Sequence, residues 1–125
     1  MTRRRVVVVG QGRVGGNIAL WLERLGHDVV RRGRDDVESP GAVENADVIM
    51  LAVPDGAIGE LARRILPRIG QARMVHFSGA LLVGHALSYH PLYSFPKTAL
   101  APEAFARIPF ARQEGAPPLA TLVPG

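Results

Sequence analysis

Four consecutive valines, Val6–Val9, run into Gly10-Gln11-Gly12-Arg13-Val14-Gly15, and an apolar pattern at helical spacing begins inside that motif. This junction constrains the chain more than any other stretch. A uniformly apolar, β-branched run is what a parallel strand buried on both faces requires. Gly10 permits a tight turn out of the strand. Gly12 lets a pyrophosphate approach the backbone, and Gly15 lets the helix pack close to the sheet. The free N–H groups and positive dipole end of that helix then face the phosphates. Gly-x-Gly-x-x-Gly alone also fits a merely tight strand–helix loop. With a strand before it and a helix after it, the motif predicts the first turn of a dinucleotide-binding β-α-β unit, with Gly10, Gln11, Gly12, Arg13, Val14 and Gly15 as cofactor contacts.

The rest of the chain continues the alternation. Val14, Ile18, Leu22 and Leu25 share a helical face, with Trp21 and Glu23 off it, and Gly26 ends the helix. Asp28–Arg32 reads as a second strand, Gly33-Arg34-Asp35-Asp36 as its exit loop and Ser39-Pro40-Gly41 as a turn. Ala46–Val53 is a third strand, ended by Pro54, and Asp55 is placed to cap the next helix. That helix carries Ile58, Leu61, Ala62, Ile65 and Ile69 on one face, and Pro67 distorts or ends it. Arg73–Phe77 is a fourth strand, ending in Ser78-Gly79-Ala80. The order predicts an α/β fold, a single doubly wound parallel sheet over residues 1–115. Ligands of such sheets bind beyond the carboxyl ends of the strands, where the glycine turn, Arg34, Val53-Pro54-Asp55 and Ser78-Gly79 all fall.

The last third is less regular. Leu81–Ser88 mixes a turn or helix with a strand. Tyr89–Pro96 is dense in aromatic residues and prolines. Ala104–Ile108 suggests a helical turn, and Pro109–Arg112 an edge strand, which proline tolerates. Residues 116–125 read as a Pro/Gly-rich tail, a linker or frayed end.

Arg34 lies nineteen residues beyond Gly15. In NAD-binding domains a carboxylate at about 20 residues past the glycines accepts bonds from the ribose 2′-hydroxyl. An arginine there pairs instead with a 2′-phosphate, which favours NADP over NAD. A register shift of one or two residues would place Asp35 or Asp36 at that position, the NAD arrangement. Arg31 and Arg32 lie close by; the alternative for them is solvated strand-end charge.

Composition excludes several classes. The 125 residues contain no cysteine, so disulfide and thiol chemistry are out. No apolar run approaches a membrane span, and Arg3-Arg4-Arg5 precedes too short an apolar stretch for a signal peptide. The expected location is cytoplasmic. The net charge is +4, and every basic residue except Lys97 is arginine. The arginines are scattered without interleaved aromatics, so no nucleic-acid partner is expected. His27, His76, His85 and His90 have no cysteine or paired-carboxylate partners, so no metal site is expected.

Two residues carry the expected chemistry. His90 is the candidate acid–base, since imidazole titrates near neutrality; its alternative is a loop-stabilising role beside Pro91. Ser78 is the candidate holder of a substrate oxygen or of the nicotinamide carboxamide; its alternative is capping. His76 alternates with Ser78 and reads as a satisfied core or edge histidine. Tyr89 and Tyr93 read as packing residues.

Gly10-x-Gly12-Arg13-Val14-Gly15, Gly26-His27-x-Val29 and Ala46–Asp55 together resemble the nucleotide-binding (Rossmann) domain of the 6-phosphogluconate dehydrogenase-like oxidoreductases. That group includes the β-hydroxyacid dehydrogenases and pyrroline-5-carboxylate reductases. Arg34 matches the arginine of the Asn-Arg-Ser or Asn-Arg-Thr triplet of NADP-using members, although its neighbours here are Gly33 and Asp35. Val75–Ala80 together with His90-Pro91-Leu92 resembles the DUF2520-type family. His-Pro-Leu is also similar to the His-Pro-Met of prephenate dehydrogenases, whose histidine serves hydride transfer. The resemblance implies an NADP-dependent oxidoreductase acting on a small carbonyl, hydroxy acid or imine. The other reading is a non-catalytic dinucleotide-binding module, or a truncated remnant lacking the helical substrate and dimerisation domain. Relatives of this type continue into a helical domain that covers the cofactor and supports dimerisation, so a homodimer is the assembly to test.

Overall fold

The computed structural model describes residues 3–79, 83–84, 86–92, 94–96, 100, 104 and 107–124. The valine run forms β1 (Arg5–Val9), and the helix entered through the glycines is α1 (Arg13–Arg24). Gly26 turns left-handed at φ 93°, which returns the chain to the sheet as β2 (Asp28–Arg32). Then come β3 (Val48–Leu51), α2 (Asp55–Ile65), β4 (Arg73–His76) and β5 (Ala86–Pro91). β6 (Phe110–Arg112) and the short α3 (Leu119–Leu122) complete the chain. Pro67 acts as expected: α2 stops at Ile65, and a single 3-10 turn over Leu66–Arg68 follows.

The strands form one sheet in the order β2-β1-β3-β4-β5-β6. The first five are parallel, and β6 closes the edge antiparallel to β5. The direction of winding therefore reverses between β1 and β3. Side chains alternate across a strand, so β1 feeds two cores. Val6 and Val8 pack with Ile18 and Leu22 of α1 and with Met50 and Val75. Val7 and Val9 pack with Ile49, Leu51 and the Ile58, Leu61 and Ile65 face of α2. All four valines are at most 1% exposed, which is why the run carries no polar residue.

Three expectations change. Asp55 is the first residue of α2 rather than its cap, because Pro54 holds the cap position with extended backbone (ψ 148°). The Asp55 carboxylate still favours that helix end through the dipole. The Tyr89-His90-Pro91 segment is not a loop but the end of β5. Pro91 is tolerated there because it is the strand's last residue and faces only the edge strand, whose Phe110 it pairs. The segment after Gly115 is not frayed. Ala116, Leu122 and Val123 are buried in the α1-side core. Tyr89 Oη donates to the Pro117 carbonyl at 2.6 Å. His27 accepts the Arg4 N–H at Nδ1, so its proton sits on Nε2 and is donated to the Pro124 carbonyl at 2.7 Å. Ala80, most of 101–106, His85 and Tyr93 lie outside the described residues.

This packing has a measurable consequence. Leu122→Ala should destabilise the domain by about 2–4 kcal/mol, the usual cost of emptying a buried leucine site. A urea midpoint unchanged from wild type would mean that the C-terminal segment does not pack.

Candidate functional site

In a parallel sheet the last paired row marks where every chain exit lies. Here that row is Arg32, Val9, Leu51, His76 and Ser88, across β2, β1, β3, β4 and β5. Just beyond it stand Gly33-Arg34, the glycine turn, Val53-Pro54-Asp55, Ser78-Gly79 and His90. The expected site residues therefore share one edge, and the winding reversal between β1 and β3 sits in their middle.

The three glycines of the turn differ in what the fold asks of them. Gly10 has φ 110°, and a Cβ there would lie 2.1 Å from the Ala52 carbonyl oxygen. A Cβ on Gly15 would lie 2.3 Å from the Gly10 carbonyl oxygen and 3.2 Å from Ala52 Cβ. Both glycines bring backbone against backbone. A Cβ on Gly12 would meet nothing within 4 Å. The open space over Gly12 belongs to a cavity of about 550 Å³ lined by Gln11, Gly12, Arg13, Gly16, Asn17, Leu20 and Arg31. Arg13 is the first residue of α1, and no acidic residue lies in that turn. A cation at the positive end of a helix is unfavourable unless an anion joins them.

Val14 and Val53 are half-buried and pack against the α1-side and α2-side cores, respectively. Arg34 opens a 3-10 turn (Arg34–Asp36) and lines a second cavity, about 530 Å³, with Asp35, Pro54, Gly56, Ala57, Glu60, Leu61 and Arg64. It does not line the glycine-turn cavity; its neighbour Arg31 does. Arg31 is paired with Glu23 and Arg32 with Asp36, whereas Arg34 is exposed and makes no ion pair among the described residues. Arg64 in the same cavity is bound to Glu38, which holds that carboxyl below the usual glutamate range.

The third cavity, about 420 Å³, is lined by Asp55, Phe77, Ser78, Gly79 and His90. Gly79 is needed there: a Cβ would lie 2.9 Å from His90 Cγ, so the imidazole rests on bare backbone. The hydrogen bonds fix both histidine tautomers. A carbonyl only accepts, so His90 Nδ1 carries a proton and donates it to the Phe77 oxygen at 3.1 Å. That leaves the Nε2 lone pair of the exposed His90. An amide only donates, so His76 Nδ1 is unprotonated and accepts the Ser78 N–H at 3.2 Å. Its proton sits on Nε2, which is buried without a hydrogen-bond partner among the described residues. His76 is thus a core histidine that is only half satisfied. Burial pushes its pKa down, and the Asp55 charge partly opposes the shift. Ser88 Oγ donates to the Ser78 carbonyl at 2.6 Å.

Asn17 escaped notice in the sequence. It is buried in α1, its Nδ2 donates to the Arg13 and Pro96 carbonyls, and its Oδ1 accepts the Leu100 N–H at 2.8 Å. It ties the chain after β5 to the helix behind the glycine turn. A polar residue next to Ile18, one position off the helix's apolar stripe, was the signal available.

No protein-family model matches the sequence, and no curated protein sequence matches it. Solved structures match the fold. An arogenate dehydrogenase from Synechocystis superposes with a TM-score of 0.68 at 21% identity, over 94% of this chain and 54% of its own. A diketoreductase gives 0.61 at 19% identity, over 72% and 50%. A prephenate dehydrogenase from A. aeolicus, in complex with hydroxyphenyl propionate and NAD+, gives 0.60 at 20% identity, over 78% and 44%. The chain spans about half the length of these structures, and the likeness is one of fold: a Rossmann-like α/β domain.

The glycine geometry predicts a contrast. Gly10→Ala should cost on the order of 2–4 kcal/mol, from backbone clash and a positive φ, and Gly12→Ala less than about 1 kcal/mol. Equal losses in chemical denaturation would contradict it. His76 predicts a pH effect. Its folded pKa lies below the ordinary value of 6.5, so the unfolded chain binds a proton first as pH falls. Its contribution is complete above that value and declines below it. The melting-temperature difference between wild type and His76→Asn should therefore shift against wild type from about pH 7.5 to about pH 5.

Proposed function

We propose that this chain is the dinucleotide-binding domain of an NADP-dependent oxidoreductase, of the 6-phosphogluconate dehydrogenase-like type with a DUF2520-type signature, acting on a small carbonyl, hydroxy acid or imine. One observation carries the reading: Arg34, the glycine turn and His90, at the exits of β2, β1 and β5 along one sheet edge, each line a cavity. A dinucleotide has its parts in that sequence of chemistries, a substituted ribose, a pyrophosphate and a reactive ring. The residues fit it. Gly12 keeps a clear approach that the fold itself does not need. The A. aeolicus prephenate dehydrogenase, similar in fold to this chain, is in complex with NAD+.

The nicotinamide, when bound, supplies or accepts the hydride. The remaining work falls to this chain. The amides of Gly12, Arg13 and Val14 and the Arg13 side chain hold the pyrophosphate. Arg34, which makes no ion pair among the described residues although Asp35 and Glu60 line the same cavity, pairs with the 2′-phosphate. Val53, Pro54 and Asp55 border the nicotinamide half, and Gly79 keeps the floor flat beneath His90. Ser78 holds a substrate oxygen or the carboxamide. His90 Nε2 takes the proton from a hydroxyl when substrate is oxidised and returns it on reduction. The Asp55 carboxylate, on the same cavity, favours the imidazolium formed in between. The wall that excludes water is assigned to protein outside these residues, a further domain or a second copy of the chain.

Titration of NADPH and NADH, followed by nicotinamide fluorescence, tests the reading. NADPH should bind at least about tenfold tighter, and Arg34→Ala should remove that margin. Failure of both to bind overturns the proposal, and tighter NADH overturns the Arg34 assignment. His90→Ala should keep NADPH affinity while nicotinamide turnover with simple 2-oxo acids, aldehydes or cyclic imines falls at least about 100-fold. Binding with no turnover across that panel would leave a dinucleotide-binding module.

A further inference from the structure

The Phe77–Ser78 peptide group stands between two imidazoles. On one end its carbonyl accepts the His90 Nδ1 proton. On the other, its N–H donates to His76 Nδ1. His76 lies in the last row of the sheet, fully buried, and Ser88 sits beside it on the same row. Between them they hold both backbone polar groups of Ser78: His76 takes the N–H, and Ser88 donates to the C=O. Ser88 is fixed in turn by Gln113, whose Oε1 accepts its N–H at 3.0 Å.

Hydrogen bonds in series polarise one another. An amide that donates into an imidazole lone pair has a more negative carbonyl, and that carbonyl holds the proton on His90 Nδ1 more firmly. The arrangement also requires opposite tautomers. Nδ1 is bare on His76 and protonated on His90. The Nε2 proton of His76 has no partner among the described residues, a costly placement for a buried donor that packing alone does not reward.

We infer that His76 is a positioning residue that acts on His90 through the Phe77–Ser78 peptide, locking the tautomer that leaves the His90 Nε2 lone pair at the cavity. The assignment rests on the reading of His90 as the acid–base group. A protonated His76 would turn a second donor toward the Ser78 N–H, rotate that peptide and take the acceptor away from His90. The groups facing His76 are the Ser78 amide and, from the first turn of α2, the Asp55 carboxylate.

Nitrogen-15 NMR of the histidine rings tests this on the whole chain, with no cofactor needed. In wild type, His76 should be the Nε2–H tautomer and His90 the Nδ1–H tautomer; a predominantly Nε2–H His90 overturns the inference. In His76→Leu the Nδ1–H share of His90, relative to Nε2–H, should fall about fivefold, the equilibrium equivalent of one ordinary hydrogen bond. His76→Asn, whose Oδ1 can take over the acceptor role of Nδ1, should restore it. NADPH affinity should stay within about twofold in both, while kcat falls about tenfold in the leucine variant alone. An unchanged His90 tautomer in folded His76→Leu overturns the relay. If that variant does not fold, Ser88→Ala carries the test, since it releases the Ser78 carbonyl. A reduced Nδ1–H share supports the clamp, and an unchanged one overturns it. Failure of NADPH and NADH to bind would sink the functional proposal and leave the tautomer result standing.

Discussion

The site depends on how closely the exits of β1 and β3 pass. A Cβ at Gly10 would sit inside the Ala52 carbonyl, and one at Gly15 inside the Gly10 carbonyl. Three pieces of backbone, the end of one strand, the end of its neighbour and the start of α1, therefore meet with no side chain between them. No other residue type allows this separation, and at Gly10 none adopts the dihedral without strain. Because the exits touch, the space above them is not filled by the protein's own atoms. The cavities open on either side of that contact, at the point where the winding of the sheet reverses.

The second half of the site is built by a different device. Beyond β4, Gly79 gives way to the His90 ring rather than to another strand's backbone. Side chains in the last sheet row reach up to the exit loop instead: His76 and Ser88 hold Ser78, and Phe77 holds His90. The cost is a buried imidazole with an idle proton, on the order of 1–3 kcal/mol. A sheet with a core on each face can carry such a cost, since burying one aliphatic side chain contributes a similar amount.

Much of this was legible in the sequence because it follows from period and punctuation. Val6–Val9 and the run around Val48–Leu51 lack polar residues since both faces are covered. Gly26, Pro54 and Pro67 mark real element ends. The parallel order follows from alternation alone. What escaped depends on contacts remote in sequence. Residues 116–124 have the composition of a loose tail, yet Leu122 and Val123 find a core made by α1. Their order comes from Tyr89 and His27, residues 28 and 97 positions away from their partners Pro117 and Pro124. The end of β5 was hidden by Pro91, which breaks central strands but not the final residue of one beside an edge. His76 showed its alternation with Ser78, but not that its second nitrogen would go unpaired.

The same geometry separates what the fold needs from what it does not, and that separation is the strongest argument for function. Gly10, Gly15 and Gly79 are each explained by a clash that a side chain would cause. Gly10 and Gly15, which meet backbone, would be glycine whether or not anything binds, whereas Gly79 makes room for the His90 ring. Gly12 caps α1, but no clash requires glycine there. Arg13 stands at a helix end that repels it, and Arg34 has no ion pair among the described residues where Arg31 and Arg32 are both paired. His90 sits exposed with one nitrogen tied back to Phe77. The fold's own packing requires neither the exposed Arg13 and Arg34 nor the exposed His90 at this edge, and the proposed dinucleotide reading rests on that difference.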